Sequence, residues 1–109
     1  MVICTKPVFI GQTGEPAPYV DMLAGIIDEP SIYNRALSAN EIQSIYSAGS
    51  DGKCSTTPTT NDCVTAPSGV VGWWPAEANT TDADTGKNAT LQGNITYATG
   101  KVGQAFSFN

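Results

Sequence analysis

The chain contains no histidine. That removes Ser-His-Asp and Cys-His nucleophiles, the usual zinc sites and the default proton carrier near neutral pH. Charge is scarce as well: 14% of residues are charged, against about 25% in ordinary domains. Five basic residues face ten acidic ones, for a net charge of −5. The isoelectric point is near 4.2. So acidic a chain has no footprint for a phosphate backbone, which excludes nucleic acid as an expected partner. No apolar run reaches the length of a membrane span. The first residues lack the layout of a signal peptide. Neither the phosphate-cradling loop ending in Gly-Lys-Ser/Thr nor the Gly-x-Gly-x-x-Gly fingerprint occurs.

What is present is turn chemistry. Eleven Gly and seven Pro stand among many Ser, Thr and Asn in 109 residues. That length suits one small domain, burying roughly 65% of the surface its unfolded chain exposes. Pro7–Gly11 reads as a short strand, and residues 12–19 as a loop. Leu23–Asn34 is β-rich, with Pro30 marking an edge or a bulge because proline cannot donate to a ladder. Leu37–Tyr46 changes period. Ser38 and Glu41 fit a capping box, and Ile42, Ile45 and Tyr46 fall on one face of a short helix ending near Gly49. Glu41 thereby has a structural role. Gly69–Trp74 resumes the strand pattern, followed by a polar, acidic loop over 76–88. Ala89–Gln92, Ile95–Tyr97 and Lys101–Asn109 are further strands. In the last, Val102, Phe106 and Phe108 share a face. About six short strands and one short helix predict an all-β, antiparallel β-sandwich.

Cys54 and Cys63 lie nine positions apart around a Thr/Pro-rich stretch. They read as a disulfide that clips a loop and stabilises by roughly 2–3 kcal/mol. The alternative is two free thiols in a flexible segment. A disulfide implies an oxidising, extracellular setting. Cys4 is left without an obvious partner.

Two segments carry a family resemblance. Ala24–Tyr46 contains Ile-Asp-Glu at 27–29, then Tyr-Asn-Arg-Ala-Leu-Ser at 33–38 and the helix. It resembles the C-terminal signature of laminin-G-like domains of the concanavalin A-like jelly-roll superfamily. Val70-Val-Gly-Trp-Trp-Pro75, Asn88-Ala-Thr-Leu91 and Gly100–Phe108 resemble the N-terminal signature of the same family. The order is inverted. The resemblance implies residues 1–49 as the end of one repeat, 50–68 as a cysteine-containing linker and 69–109 as the start of the next repeat. The long middle is missing. The sandwich is therefore partial, or it is a permuted mini-domain whose halves pair with each other. A half-sandwich leaves Ile26, Ile27, Ile32, Val102, Phe106 and Phe108 in need of cover. The expected remedy is a dimer or a strand-exchanged oligomer, with the strand ending at Phe108 as the exchanged element.

The resemblance also implies a calcium site. Asp82, Asp84 and Asn88 offer oxygens from a turn-rich loop, with Asp28 or Glu29 as distant partners. The plain alternative is a solvated acidic loop. Trp73 and Trp74 are adjacent and face opposite sides of a strand. One belongs in the core; for the other, burial in the core or at an interface is the preferred reading, and a platform for stacking on a sugar ring is the alternative. Asp28, Glu29 and Glu77 are the only carboxylates worth weighing for glycoside chemistry, and the Glu-x-Asp-x-x-Glu strand motif of the superfamily's glucanases is absent. Asn79, Asn88 and Asn94 begin formal glycosylation sequons. The expected function is a non-catalytic lectin-like or adhesion module of a larger extracellular protein, binding carbohydrate or protein. The alternatives are an accessory module of a secreted carbohydrate-active enzyme and a ligand-free, self-associating scaffold.

Overall fold

The structure is a computed structural model that describes residues 5–13, 21–54 and 63–109. Cys4 lies outside the described residues, as does most of the loop read over 12–19. In chain order the elements are β1 (Gly25–Ile27), β2 (Ser31–Tyr33), α1 (Ala39–Ala48), β3 (Lys53–Cys54), β4 (Val64–Thr65), β5 (Val70–Trp73), β6 (Ile95–Thr99) and β7 (Gln104–Phe108). A single 3-10 turn, Gly49–Asp51, follows α1. The architecture is mostly short strands with one short helix. The two larger pairings are antiparallel.

The two halves of the chain close on each other. β7 lies in the middle of a three-stranded sheet ordered β1-β7-β6. Gly25, Ile26 and Ile27 stand opposite Phe108, Ser107 and Phe106. On the other side Ile95 to Thr99 run opposite Phe108 to Gln104. A second sheet pairs β2 with β5, Ser31 opposite Trp73. It is extended at both ends by Trp74 N–H to Pro30 O at 3.0 Å and Asn34 N–H to Gly69 O at 2.8 Å. Thus both sheets join residues before the linker to residues after it, within one chain. The strand expected to be exchangeable is the central one.

Leu23–Asn34 is broken where Pro30 and a left-handed Glu29 (φ 55°) interrupt the ladder. The helix starts as its capping box dictates: Ser38 Oγ accepts from Glu41 N–H at 3.2 Å, and Glu41 Oε2 accepts from Ser38 N–H at 2.8 Å. Arg35 donates to Glu41 at 2.6 and 3.0 Å and reaches across to Ser68 O at 2.9 Å. This ties the helix start to the segment entering β5. Two expected strands do not form. Residues 7–11 and 89–92 are extended coil, and the first is anchored only by a bridge between Gln12 and Met22. Instead, the linker itself carries a strand pair: β3 and β4 run parallel, Lys53 opposite Val64 and Cys54 opposite Thr65.

The core lies where the sheets meet: Trp73, Ala76, Ala105 and Phe106 are buried. Tyr97 packs on Phe106 with ring centroids 5.7 Å apart. Burying such aromatics supplies the main favourable term, roughly 1.5–3 kcal/mol each. By contrast Ile26, on the outer face of its sheet, is 55% exposed. Phe106→Ala is therefore expected to cost roughly 3–5 kcal/mol in urea unfolding. Ile26→Ala should stay within about 0.5 kcal/mol of the parent. Equal losses at the two positions would contradict this assignment of the core.

Candidate functional site

The acidic loop after β5 is built around one carboxylate. Asp82 is 4% exposed. Its Oδ1 accepts from Trp73 N–H at 3.1 Å, Asp84 N–H at 3.0 Å and Thr85 N–H at 3.2 Å. Its Oδ2 accepts from the Thr85 hydroxyl and from Lys87 N–H at 3.2 Å. Burial alone would raise this carboxyl's pKa. The Thr85 hydroxyl and the N–H groups of Asp84, Thr85 and Trp73 outweigh burial and hold it far below the usual carboxylate range. Asn88 belongs to the same hub, its Oδ1 accepting from Asp82 N–H at 3.1 Å. The loop also covers the outer edge of β5. Ala83 N–H donates to Trp73 O at 2.8 Å, and the Thr85 hydroxyl donates to Val71 O at 3.3 Å. An edge strand that would otherwise offer unpaired groups is thus closed.

These contacts decide how the five calcium candidates are placed. Both oxygens of Asp82 and the side-chain oxygen of Asn88 are taken by protein donors. Asp84 is exposed. Asp28 and Glu29 belong to other clusters. Asp28 Oδ2 accepts from Lys101 N–H at 2.7 Å and Val102 N–H at 2.8 Å, holding the β6–β7 turn. Its Oδ1 is buried and has no donor among the described residues. Glu29 Oε2 accepts from the Trp73 indole N–H at 2.6 Å and from Lys53 Nζ at 3.2 Å. The five residues lie in separate places: Asp82, Asp84 and Asn88 in the loop, Asp28 at the β6–β7 turn and Glu29 against Trp73 and Lys53. No group of three or more metal-binding His, Cys, Asp or Glu residues forms among the described residues.

The carboxylates weighed for glycoside chemistry have similar work. Glu77 accepts from Gln104 N–H at 3.2 and 3.3 Å, on the turn that Asp28 also holds. Two non-glycine residues with left-handed backbone flank it, Ala76 (φ 64°) and Ala78 (φ 55°). Of the sequon residues, Asn79 closes a local turn, accepting from Thr81 N–H at 2.9 Å, while Asn94 is exposed ahead of β6.

The two tryptophans part company. Trp73 is 4% exposed and committed to the core. Trp74 turns to the opposite side of β5. Its indole lies against Gly72, where no Cβ would fit, and its Nε1–H donates to Lys87 O at 2.9 Å. There it lines a groove of about 400 Å³. Phe106, Phe108 and Ile95 form the groove's apolar base, with Val8 and Phe9 on one side. Lys87, Asn88, Thr90 and Gln92 supply polar groups, and no carboxylate among the described residues lines it. The volume falls in the range of small-ligand sites, about 300–1,000 Å³. A second cleft, between α1 and the β6–β7 turn, is lined by Asp28, Glu29, Lys53 and Lys101. There Glu29 and Lys53 already pair with each other.

The linker is closed as its cysteine spacing suggests: Cys54 and Cys63 form a disulfide with Cα atoms 5.6 Å apart. No helix among the described residues is long and apolar enough to cross a membrane. No protein-family model, curated protein or solved structure matches the chain.

Asp82 sets a pH dependence. Its folded value lies below its unfolded value of about 4. Its contribution is therefore complete above about pH 5 and is lost as pH falls towards the folded value. Glu41 acts in the same window, drawn down to about 2 chiefly by its hydrogen bond from Arg35. The melting temperature should fall steadily from pH 5 to pH 2, with a shallower fall in Asp82→Asn. At neutral pH, Asp82→Ala should cost on the order of 3 kcal/mol, since it strands several donors at once. Asp84→Ala, which removes an exposed carboxylate, should cost within about 0.5 kcal/mol. Equal effects of the two alanine variants would mean that Asp82 is not the hub.

Proposed function

We propose that this chain is a non-catalytic, lectin-like β-sandwich module of laminin-G-like, jelly-roll type, acting in an extracellular protein and binding an uncharged sugar in the Trp74 groove. The observation that carries the reading is the composition of that groove. An indole and three phenylalanine rings stand with side-chain amides, a hydroxyl and Lys87, and no carboxylate among the described residues lines the groove. Sugar rings offer C–H faces to aromatic surfaces, and their hydroxyls pair with amides. The groove's lining is mainly apolar and amide in character, with Lys87 as its one charged residue among those described. The disulfide suits an oxidising compartment. Such a module also serves as an accessory part of a secreted carbohydrate-active enzyme, with the same residues in the same role.

A second reading, a self-associating scaffold without ligand, is favoured by the exposure of Val8 and Met22. A glycan array probed with the parent and Trp74→Ala separates the two. The expected result is binding to one class of neutral glycan, weakened about tenfold or more by the substitution, roughly 1.4 kcal/mol. No binding by a folded parent, together with a mass in solution that grows with concentration, would favour the scaffold.

A further inference from the structure

Residues 52–54 form a wedge between the two halves of the molecule. Gly52 is buried with a left-handed backbone (φ 65°), and a Cβ there would come within 2.8 Å of Val102. Lys53 follows, its side chain only 5% exposed, its ammonium 3.2 Å from Glu29 Oε2 and 4.8 Å from the centre of the Trp73 ring. Glu29 comes from before the linker and Trp73 from after it, so Lys53 completes a three-part contact across the seam. The next residue is Cys54, bonded to Cys63.

We propose that the Cys54–Cys63 disulfide is a redox latch on this seam, holding Lys53 between Glu29 and Trp73 while closed and releasing it when reduced. The backbone that delivers Lys53 has little else to hold it. β3 and β4 are two residues each, and the hydrogen bonds flanking them are Val64 N–H to Gly52 O at 2.9 Å and Ala66 N–H to Cys54 O at 3.0 Å. A parallel ladder of that length does not persist by itself. A lysine held out of water gives up hydration and the freedom of a four-carbon stem. It stays only while its backbone is held at the seam. Once released, the ammonium returns to water, and Glu29 keeps only the indole N–H.

The chemistry balances with a dithiol as the reductant. Two electrons and two protons pass to the Cys54–Cys63 bond, which breaks to two thiols, while the dithiol closes its own disulfide. The inference does not depend on what the Trp74 groove holds.

In a Trp74→Phe background Trp73 is the sole indole, so its emission reports the seam. Reduction with dithiothreitol, checked by alkylation of Cys54 and Cys63 themselves, should move that emission to longer wavelength. It should also lower the melting temperature by about 10 °C or more. Cys54→Ser/Cys63→Ser should match the reduced protein and ignore the reductant. Glu29→Gln/Lys53→Met replaces the charges with a neutral pair that keeps an acceptor for the indole and gains nothing by moving into water. In it, reduction should leave Trp73 emission in place. An equal emission shift in that variant, or none in the parent after both thiols are freed, overturns the latch.

Discussion

The contact on which the molecule depends is the one Glu29 makes. Its carboxylate receives the Trp73 indole N–H at 2.6 Å and the Lys53 ammonium at 3.2 Å. The side chains of Glu29 and Lys53 are 13% and 5% exposed. A buried ion pair is poor evidence of net stabilisation, because desolvation offsets most of the attraction. Its consequence is specificity. Substituting one partner while the disulfide holds the others in place strands a charge, at about 3–5 kcal/mol. Since the three come from before, within and after the linker, the pair selects the one closure in which β2 lies on β5. The left-handed backbone at Glu29 is the strain accepted for this, on the order of 1 kcal/mol or more.

Asp82 solves a different problem with the same chemistry. β5 has a partner on one side only, and its other edge faces the acidic loop. By gathering five donors, Asp82 turns a polar loop into a cap on that edge and fixes the position of Lys87. Lys87 in turn accepts through its carbonyl from Trp74, whose indole then lines the groove. The order of dependence runs from a buried carboxylate to a closed edge to a placed aromatic ring. The proposed binding surface rests on the loop's internal hydrogen bonds.

Much of this was legible in the residues. The helix follows from Ser38 and Glu41, because a capping box is a local device that needs no distant partner. The disulfide follows from the spacing of Cys54 and Cys63. That Trp73 and Trp74 point to opposite sides follows from the pleat of a strand. What was not legible is long-range. Residues 7–11 and 89–92 have strand-like composition but only single backbone bonds at their ends, Leu23 N–H to Gly11 O and Ala89 N–H to Thr80 O, and composition cannot reveal that a ladder fails to continue. Side-chain type did not disclose that Asp82 would gather five donors while the neighbouring Asp84 stays exposed. Lys53 gave no signal, since a lone lysine in a Ser/Thr/Pro-rich stretch reads as solvated. Only the adjacency of Glu29 and Trp73, 44 positions apart, makes its burial possible.

The pairing of the halves also changes the meaning of the exposed apolar surface. If β1 and β7 lacked each other, both would present open edges, and association would be a demand of folding. With β7 between β1 and β6, Ala105 and Phe106 are buried within one chain. Exposed apolar side chains remain at Ile26 on the edge strand β1, at Val8 and Phe9 beside the groove, at Met22 and Leu23, and at Ile42 and Tyr46 on the helix. Ile42 and Tyr46 lie one helical turn apart, on a helix with no buried residue. The groove differs from these patches because it is concave and carries polar groups beside its aromatic residues. A convex apolar patch is relieved by any flat surface, whereas a concave one with directed amides discriminates among small ligands by shape and hydrogen bonding. That difference is why the Trp74 groove, among the described apolar surfaces, is the one proposed as a ligand site.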